Sequence, residues 1–277
     1  MRKIEVKYHR PILGQTTYSV DVPATWNELT SQQLIRVAGL LFSSEQDQYR
    51  FRIELLRILM GLKWHHLLIL GGERLIDLFP FVKFVEDEIN LTQNKIAELR
   101  LRGIRFFGPI GDFSALRGDE WTEADEAYMD FSQSNQESDL NRFMAILFRE
   151  RAKGMWPKHS LWKGDYRIPF LEAQIQNRIP YMERVPLSVK LAVLLWWKGC
   201  RREWETVFER VFKAKGEGPE SFGWQETLLK LSGSEFGDLE KTNKTYMYKL
   251  MLKMEVAIKD DEYRKEQEDM MKRKSRV

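Results

Sequence analysis

Cysteine and long apolar runs are scarce in this sequence. Cys200 is the one cysteine among 277 residues, which excludes an internal disulfide and a zinc site built from several cysteines. The longest apolar run, residues 191–197, is far shorter than the ~20 residues that span a bilayer. The first residues alternate in polarity and lack the apolar segment of a signal peptide. We therefore expect an intracellular protein that has no contact with a membrane.

Motifs of catalysis are absent as well. The sequence contains no P-loop, no dinucleotide-binding glycine motif, no GxSxG and no HExxH. His65 and His66 are neighbours, so on a helix their side chains point about 100° apart and cannot hold one metal from one face. Cys200 adjoins two arginines that would favour a thiolate, but no histidine is near in the sequence and a buried, inert cysteine is the more common case. The sequence predicts a protein that is not an enzyme and uses no cofactor or metal.

Acidic residues are concentrated at the start of one predicted helix. They are Asp119, Glu120, Glu123, Asp125 and Glu126. Carboxylates in the first turns of a helix interact favourably with the helix dipole. We interpret the group in this way rather than as a metal site.

Aromatic residues are plentiful, at 12% of the chain with nine tryptophans. Their richest stretch is residues 185–212, in which residues 187–197 are apolar on nearly every face. A helix that is apolar all round is buried all round. We predict two helices here, the first starting at Pro186 and ending at Gly199, and we take this helical hairpin as the centre of the fold.

The periodicity predicts a mainly α fold, a multi-helix bundle of helical hairpins with a small N-terminal β-hairpin. Residues 3–8 and 16–22 alternate in polarity and form the predicted hairpin. Thr30 and Gln33 form a capping box at the start of a helix, and a second helix over residues 49–61 stops at Gly61. Residues 98–107 alternate again and predict one further short strand with a bulge at Gly103.

Three segments follow from this pattern. Residues 1–24 are the hairpin docked on the helical body, residues 25–214 are a helical domain, and residues 222–277 are a C-terminal helical unit with a charged tail. Glycine and charged residues over 213–221 indicate a flexible linker. Residues 27–34 align loosely with residues 114–121, which indicates either a duplication or the general likeness of capped helical hairpins.

The helical domain contains an irregular, aromatic-rich loop at residues 150–184. Its aromatic residues Trp156, Trp162, Tyr166 and Phe170 have two interpretations. They form an exposed surface for a partner, or they anchor a long loop to the core. Both interpretations stay open at this point.

Basic residues occur in two places, although the formal net charge is only +3. Arg100, Arg102 and Arg105 lie in the predicted strand, where Arg100 and Arg102 share one face. Lys272, Arg273 and Lys274 lie in the charged tail. Together they favour, as an alternative function, a nucleic-acid-binding accessory protein. Basic residues balanced by nearby acids are also common on ordinary surfaces.

Three stretches resemble small helical proteins encoded in the tail-morphogenesis regions of phages and prophages, including tail-assembly chaperones. The stretches are residues 23–34 (PATWNELTSQQL), 140–149 (LNRFMAILFR) and 224–237 (WQETLLKLSGSEFG). This resemblance assigns no catalytic residue to the chain, and the aromatic-rich loop departs from a minimal chaperone.

The resemblance implies a non-enzymatic structural or assembly protein of a phage or phage-like particle. Its partners would be other phage or virion proteins, or a second copy of itself. Its location would be the host cytoplasm or the virion.

Overall fold

A computed structural model describes residues 1–10, 14–43, 47–154, 165–214, 223–233 and 236–274 of the chain. The strands in these ranges are β1 Arg2–Arg10, β2 Gly14–Val22, β3 Glu98–Leu101, β4 Ile104–Phe107 and β5 Arg149–Glu150. The helices are α1 Ser31–Leu41, α2 Gln48–Met60, α3 Trp64–Leu78, α4 Gly118–Ser134, α5 Glu137–Leu147, α6 Ile175–Met182, α7 Leu187–Val207, α8 Glu209–Ala214, α9 Gly223–Leu231, α10 Leu239–Asn243 and α11 Met247–Lys274. The prediction of a mainly α fold with an N-terminal hairpin is confirmed.

The chain divides into two compact units that interleave in sequence. The first comprises Met1–Ile96 and Val185–Cys200, and the second comprises Ala97–Arg184 and Arg201–Val277. These units do not follow the predicted segments 1–24, 25–214 and 222–277, because α7 contributes residues to both of them. Among the described ranges, no helix is both long and apolar enough to cross a membrane.

The first unit begins with the predicted hairpin and capped helix. Strands β1 and β2 pair antiparallel, with Arg2 opposite Val22 and Arg10 opposite Gly14. The Thr30 hydroxyl accepts a hydrogen bond from the Gln33 amide at 3.2 Å, and the Gln33 side chain accepts one from the Thr30 amide at 3.0 Å. The capping box is therefore confirmed.

Helices α2 and α3 complete the N-terminal part of this unit. Helix α2 ends at Gly61, which has the left-handed φ of 65° that glycine tolerates. Helix α3 is kinked at Gly71, and it is followed by 3₁₀ turns at Phe79–Phe81 and Lys83–Val85.

Helix α7 does not stop at Gly199 as predicted. It continues to Val207. The helix is interrupted at Phe208, and α8 begins at the next residue. Residues 191–197 are buried, as their apolar composition predicts. Pro186 precedes the helix, and its carbonyl accepts the amide of Lys190 at 3.3 Å. Gly199 serves close packing instead, since its α-carbon lies against the backbone of Leu91.

In the second unit, the strand predicted over residues 98–107 is a hairpin. Strands β3 and β4 pair antiparallel around a two-residue turn at Arg102 and Gly103, which have φ angles of 50° and 81°. Positive φ at both central residues is the geometry of a tight hairpin turn. The bulge prediction at Gly103 is therefore wrong, and β5 adds a third strand beside β4.

The aromatic-rich loop contains more regular structure than predicted. A 3₁₀ turn at Glu172–Gln174 leads into α6, which includes Pro180. The predicted linker lies largely outside the described residues, since these omit residues 215–222. Helices α9, α10 and α11 form the helical structure predicted over residues 222–277, and α11 extends as one helix through the charged tail.

The two regions that align in sequence enter their helices in the same way. A 3₁₀ turn at Trp26–Glu28 is followed by two extended residues and then α1, and a 3₁₀ turn at Phe113–Ala115 is followed by two extended residues and then α4. Trp26 and Phe113 are both buried. The helices that follow differ in length, with 11 and 17 residues. The structural similarity of the two regions is thus established only for the 3₁₀ turn and the two extended residues that precede each helix.

Candidate functional site

Helix α4 carries charged side chains into the interior of the second unit. Glu120 and Asp125 are each only 1% exposed, and Glu123 is also buried. Asp119 and Glu120 lie in the first turn of α4, as predicted, but burial of Glu120, Glu123 and Asp125 requires more than an interaction with the helix dipole. Carboxylates at this depth need charged or hydrogen-bonded partners, and arginines from distant parts of the chain supply them.

Glu120 lies between two buried arginines. Arg149 Nη2 is 3.0 Å from Glu120 Oε2, and Arg167 Nη1 is 2.7 Å from Glu120 Oε1. Arg167 also donates to Asp165 from Nη2 at 2.8 Å and to the carbonyl of Leu147 from Nη1 at 2.7 Å. These bonds fix β5 and residues 165–167 against the start of α4.

The two arginines are satisfied to different degrees. Arg167 has partners for each of its guanidinium nitrogens. Arg149 Nε and Nη1 are buried and have no hydrogen-bond partner among the described residues. Burial lowers the pKa of Arg149 to about 10, against the opposing attraction of Glu120. Burial also opposes the charge on Arg167, but Glu120 and Asp165 outweigh it and raise the pKa of Arg167.

A small cavity of about 120 Å³ adjoins this network. Its charged lining consists of Arg117, Arg149, Arg167 and Asp165. The rest of the lining is mostly apolar, and it consists of Ala115, Ala152, Ile168, Pro169, Phe170 and Tyr246. The guanidinium carbon of Arg117 lies 5.4 Å from the centre of the Tyr246 ring. The cavity therefore combines several cationic side chains with a largely apolar wall.

A larger cavity of about 480 Å³ lies in the same unit and is acidic. Its carboxylates are Asp119, Glu123, Glu172 and Glu240. Burial raises the pKa of Asp119 to about 6, although its carboxylate accepts the Glu120 amide at 2.7 Å. Burial likewise raises the pKa of Glu123, against its bond to Arg142. This lining favours cationic over anionic groups.

Stacked aromatic side chains support α4 from within. The Trp121 ring lies edge-on to Trp224 at 4.7 Å and stacks against Trp204 at 6.1 Å. Asp125 accepts hydrogen bonds from Trp224 Nε1 at 3.0 Å and from Arg201 Nε at 2.8 Å. Such interlocked, hydrogen-bonded packing makes this part of the unit rigid.

The aromatic residues proposed for the partner surface are placed differently from one another. Phe170 is buried, lines both cavities and lies 5.7 Å from the guanidinium carbon of Arg149. Tyr166 is half-buried and edge-on to Phe107 at 5.2 Å. Trp156 and Trp162 lie outside the described residues. The contacts of Phe170 and Tyr166 favour the anchor interpretation for these two residues.

The basic residues proposed for nucleic acid are exposed. Arg100 lies directly opposite Arg105 in the β3–β4 hairpin, and Arg102 occupies its turn. Arg100 therefore shares a face of the hairpin with Arg105. The prediction that Arg100 and Arg102 share one face is wrong, because Arg102 lies in the turn where the chain reverses. Lys272, Arg273 and Lys274 are in the last turn of α11, where cations favour the helix dipole.

Histidine and cysteine form no metal centre in the part of the chain that the structure describes. There, no group of three or more histidine, cysteine, aspartate or glutamate side chains could hold a metal ion. His66 Nδ1 accepts a hydrogen bond from the amide of Lys63 at 3.2 Å and so caps the start of α3. Cys200 is buried.

The network around Glu120 was missed from the sequence. Glu120, Arg149, Asp165 and Arg167 are scattered over 48 positions of the chain, and no motif spacing links them. One weak signal was available, since Arg149 directly follows the apolar end of α5 and its charge needs a buried partner if it packs inside.

Comparisons with known proteins assign no family to the chain. No protein-family model matches the chain, and neither a curated protein nor a solved structure matches it.

Proposed function

We propose that this protein is a non-enzymatic structural or assembly protein of a phage or phage-like particle, of the tail-morphogenesis or tail-assembly-chaperone type. It acts by binding other proteins in the host cytoplasm or in the virion. The resemblance of residues 23–34, 140–149 and 224–237 to tail-morphogenesis proteins supports the setting. One structural feature, on α11, supports binding to proteins.

Helix α11 carries a stripe of exposed apolar side chains. They are Tyr248, Leu252, Val256, Tyr263 and Met270, with exposed fractions from 42% to 63%. Steps of four and seven residues keep these side chains on one face of a helix. At 1.5 Å per residue the stripe is about 33 Å long.

Tyr248 at the start of the stripe also contacts the rings of Trp204 and Phe208. The other four side chains lie away from the face by which α11 packs on its own unit. Met247, Leu250, Met251 and Met254 occupy that buried face. Beyond residue 258 the helix is almost entirely exposed, so no described residue of its own unit covers Tyr263 or Met270. A row of exposed apolar side chains along one side of a helix fits a groove or another helix of a partner protein.

A pull-down with matched variants tests this function. The bait is the full chain, exposed to lysate of the phage-bearing host at low and high salt with nuclease present. The test variant replaces Leu252, Val256 and Tyr263 by glutamine. The control variant replaces Lys253, Lys265 and Glu268, on other exposed positions of α11, by glutamine.

The proposal expects tail or other virion proteins to bind the wild type at high salt and the control variant equally. The stripe variant should lose them, because apolar contacts are removed while the fold is untouched. Recovery of the same proteins by the stripe variant would contradict a role for the stripe. Absence of every virion protein from the wild-type sample would contradict the assembly function.

A nucleic-acid-binding accessory function is the second candidate. It is favoured by the β3–β4 hairpin, which presents Arg100, Arg102 and Arg105 within a few residues of its turn. Arg100 donates a hydrogen bond to Glu98 at 2.8 Å. Like charges directly opposite each other weaken a hairpin, so a phosphate lying between Arg100 and Arg105 would add to this compensation.

Salt-dependent binding of labelled DNA and RNA tests this alternative. If it is correct, each arginine replaced by glutamine lowers the slope of log affinity against log salt by about 1. Replacing Lys272, Arg273 and Lys274 in a second variant separates the tail from the hairpin. Equal binding by the wild type and both variants would exclude these residues as the binding surface.

A further inference from the structure

The small cavity beside Arg149 has the chemistry of an anion site. We propose that it binds one small oxyanion, of the size of a phosphate or carboxylate group, free or at the end of a larger molecule. This site is independent of the assembly function, because it lies in the interior of the second unit and not on the exposed stripe of α11.

Arg149 brings unfilled hydrogen-bond donors to the lining of this cavity. Arg149 is 2% exposed, and its Nε and Nη1 atoms lack partners among the described residues. A buried charged donor without an acceptor is strongly unfavourable, and structures rarely retain one without a role. Arg167 in the same network is fully satisfied, so the deficit belongs to Arg149, which lines the cavity.

The lining of the cavity carries more positive than negative side chains. Arg117, Arg149 and Arg167 line the cavity against one lining carboxylate, that of Asp165. Glu120, which pairs with Arg149 and Arg167, adds a second carboxylate. Asp119 at the start of α4 also interacts with Arg149 and Arg117, but it does not line the cavity. Both oxygens of Asp165 are already engaged by Arg167. Within the cavity lining the cations therefore outnumber the carboxylates, which favours a bound anion.

The size and the lining of the cavity also suit a small anion. A cavity of about 120 Å³ accepts a single small group and not a nucleotide or a peptide side chain with its backbone. Its wall of Ala115, Ala152, Ile168 and Pro169 lowers the local polarity, which strengthens charge-assisted hydrogen bonds. The planar fork of arginine suits the oxygens of phosphate and carboxylate groups.

Anion-dependent stabilisation of the full chain tests the site. Inorganic phosphate, acetate and chloride are added separately at constant ionic strength, and the urea midpoint is measured against anion concentration. A ligand that binds the folded state raises the midpoint in a saturable way. In parallel, the Nε–H resonance of Arg149 is followed by ¹⁵N NMR, as a direct report from the proposed ligand contact.

Three variants accompany the wild type. Arg117→Gln removes a half-buried cation of the cavity, and Arg149→Lys keeps the charge but removes the fork. Arg100→Gln is the matched control, because Arg100 is an exposed arginine of the same unit outside the cavity. Should Arg149→Lys fail to fold, Arg117→Gln and the Arg149 resonance still decide the question.

The proposal expects saturable stabilisation by phosphate, by acetate or by both, but not by chloride. Their relative affinities identify the type of oxyanion. We expect binding to weaken about tenfold or more in Arg117→Gln and to stay unchanged in Arg100→Gln, since tenfold is the loss of a single charged hydrogen bond. The Arg149 resonance should shift on the same concentration scale. No saturable effect, or an equal effect in all variants, would overturn the proposal.

Discussion

Gly199 lies so close to Leu91 that no larger residue fits at this position. A β-carbon on Gly199 would lie 2.3 Å from the carbonyl oxygen and 2.7 Å from the amide nitrogen of Leu91. Cys200, the next residue, is in contact with the same segment, with Sγ 3.6 Å from the carbonyl oxygen of Thr92. Helix α7 therefore packs directly on backbone within the first unit.

Gly199→Ala should destabilise the protein. The added methyl group forces the Leu91 backbone away, and such overpacking costs about 1–3 kcal/mol or more. We expect a net loss of about 2 kcal/mol in the free energy of unfolding, measured with urea. Gly39→Ala, in α1, is the control, since its β-carbon would lie at an ordinary 3.4 Å from Ser188. There the better helix propensity of alanine should stabilise by up to about 1 kcal/mol. A stabilising Gly199→Ala would refute the packing argument.

Glu120→Gln should destabilise far more than a comparable change at the surface. The substitution leaves Arg149 and Arg167 buried with one carboxylate fewer, and breaking a buried pair in this way costs about 3 kcal/mol. Glu86→Gln is the matched change, because Glu86 pairs with Arg52 through two bonds of 2.8 and 2.9 Å at a more accessible site. Its effect should be much smaller. Equal losses in the two variants would show that burial does not govern these pairs.

Asp119→Asn should change the pH dependence of stability. The folded protein raises the pKa of Asp119 from 3.8 to about 6, chiefly through burial. Between these values the folded state holds a proton that the unfolded state has released, so wild-type stability falls as pH rises through this range. Asparagine does not titrate and still accepts the Glu120 amide. The free energy of unfolding of the variant should therefore increase relative to that of the wild type as the pH rises from 3.8 to about 6.

Above pH ~6 the difference between Asp119→Asn and the wild type should level off at about 1–2 kcal/mol in favour of the variant, allowing for partial solvent screening. Urea unfolding of both proteins in parallel buffers measures the difference directly and cancels the other titrating groups. A difference that does not vary with pH would mean that folding leaves the pKa of Asp119 unchanged.

Local signals in the sequence translated well into local structure. The alternation of residues 16–22 gave a strand, Thr30 and Gln33 gave a capped helix start, and Gly61 gave a helix stop. In each case the deciding atoms lie within a few residues of one another. The same reasoning failed at Gly103, where alternation on both sides of a two-residue turn resembles one continuous strand.

The candidate site depended on contacts that sequence patterns do not report. Asp119, Glu120 and Asp125 were recognised as a group, but their partners Arg149, Arg167, Arg201 and Trp224 lie 29 to 99 positions away. The same acidic pattern at the surface would be an ordinary helix start. Burial makes the difference, because buried carboxylates need charged or hydrogen-bonding partners and solvated carboxylates do not.

The sequence by itself determined that this chain is mainly helical, that an N-terminal hairpin precedes the helices, and that residues 191–197 are buried. Composition and short-range periodicity are sufficient for these features, because they reflect which side chains can leave water and which backbone angles each residue tolerates. The tertiary structure alone decided that Gly199 permits close packing rather than ending a helix, and that Arg149 faces a cavity with unfilled donors. Both depend on what lies across the fold, and distances between remote residues are fixed only when the whole chain packs.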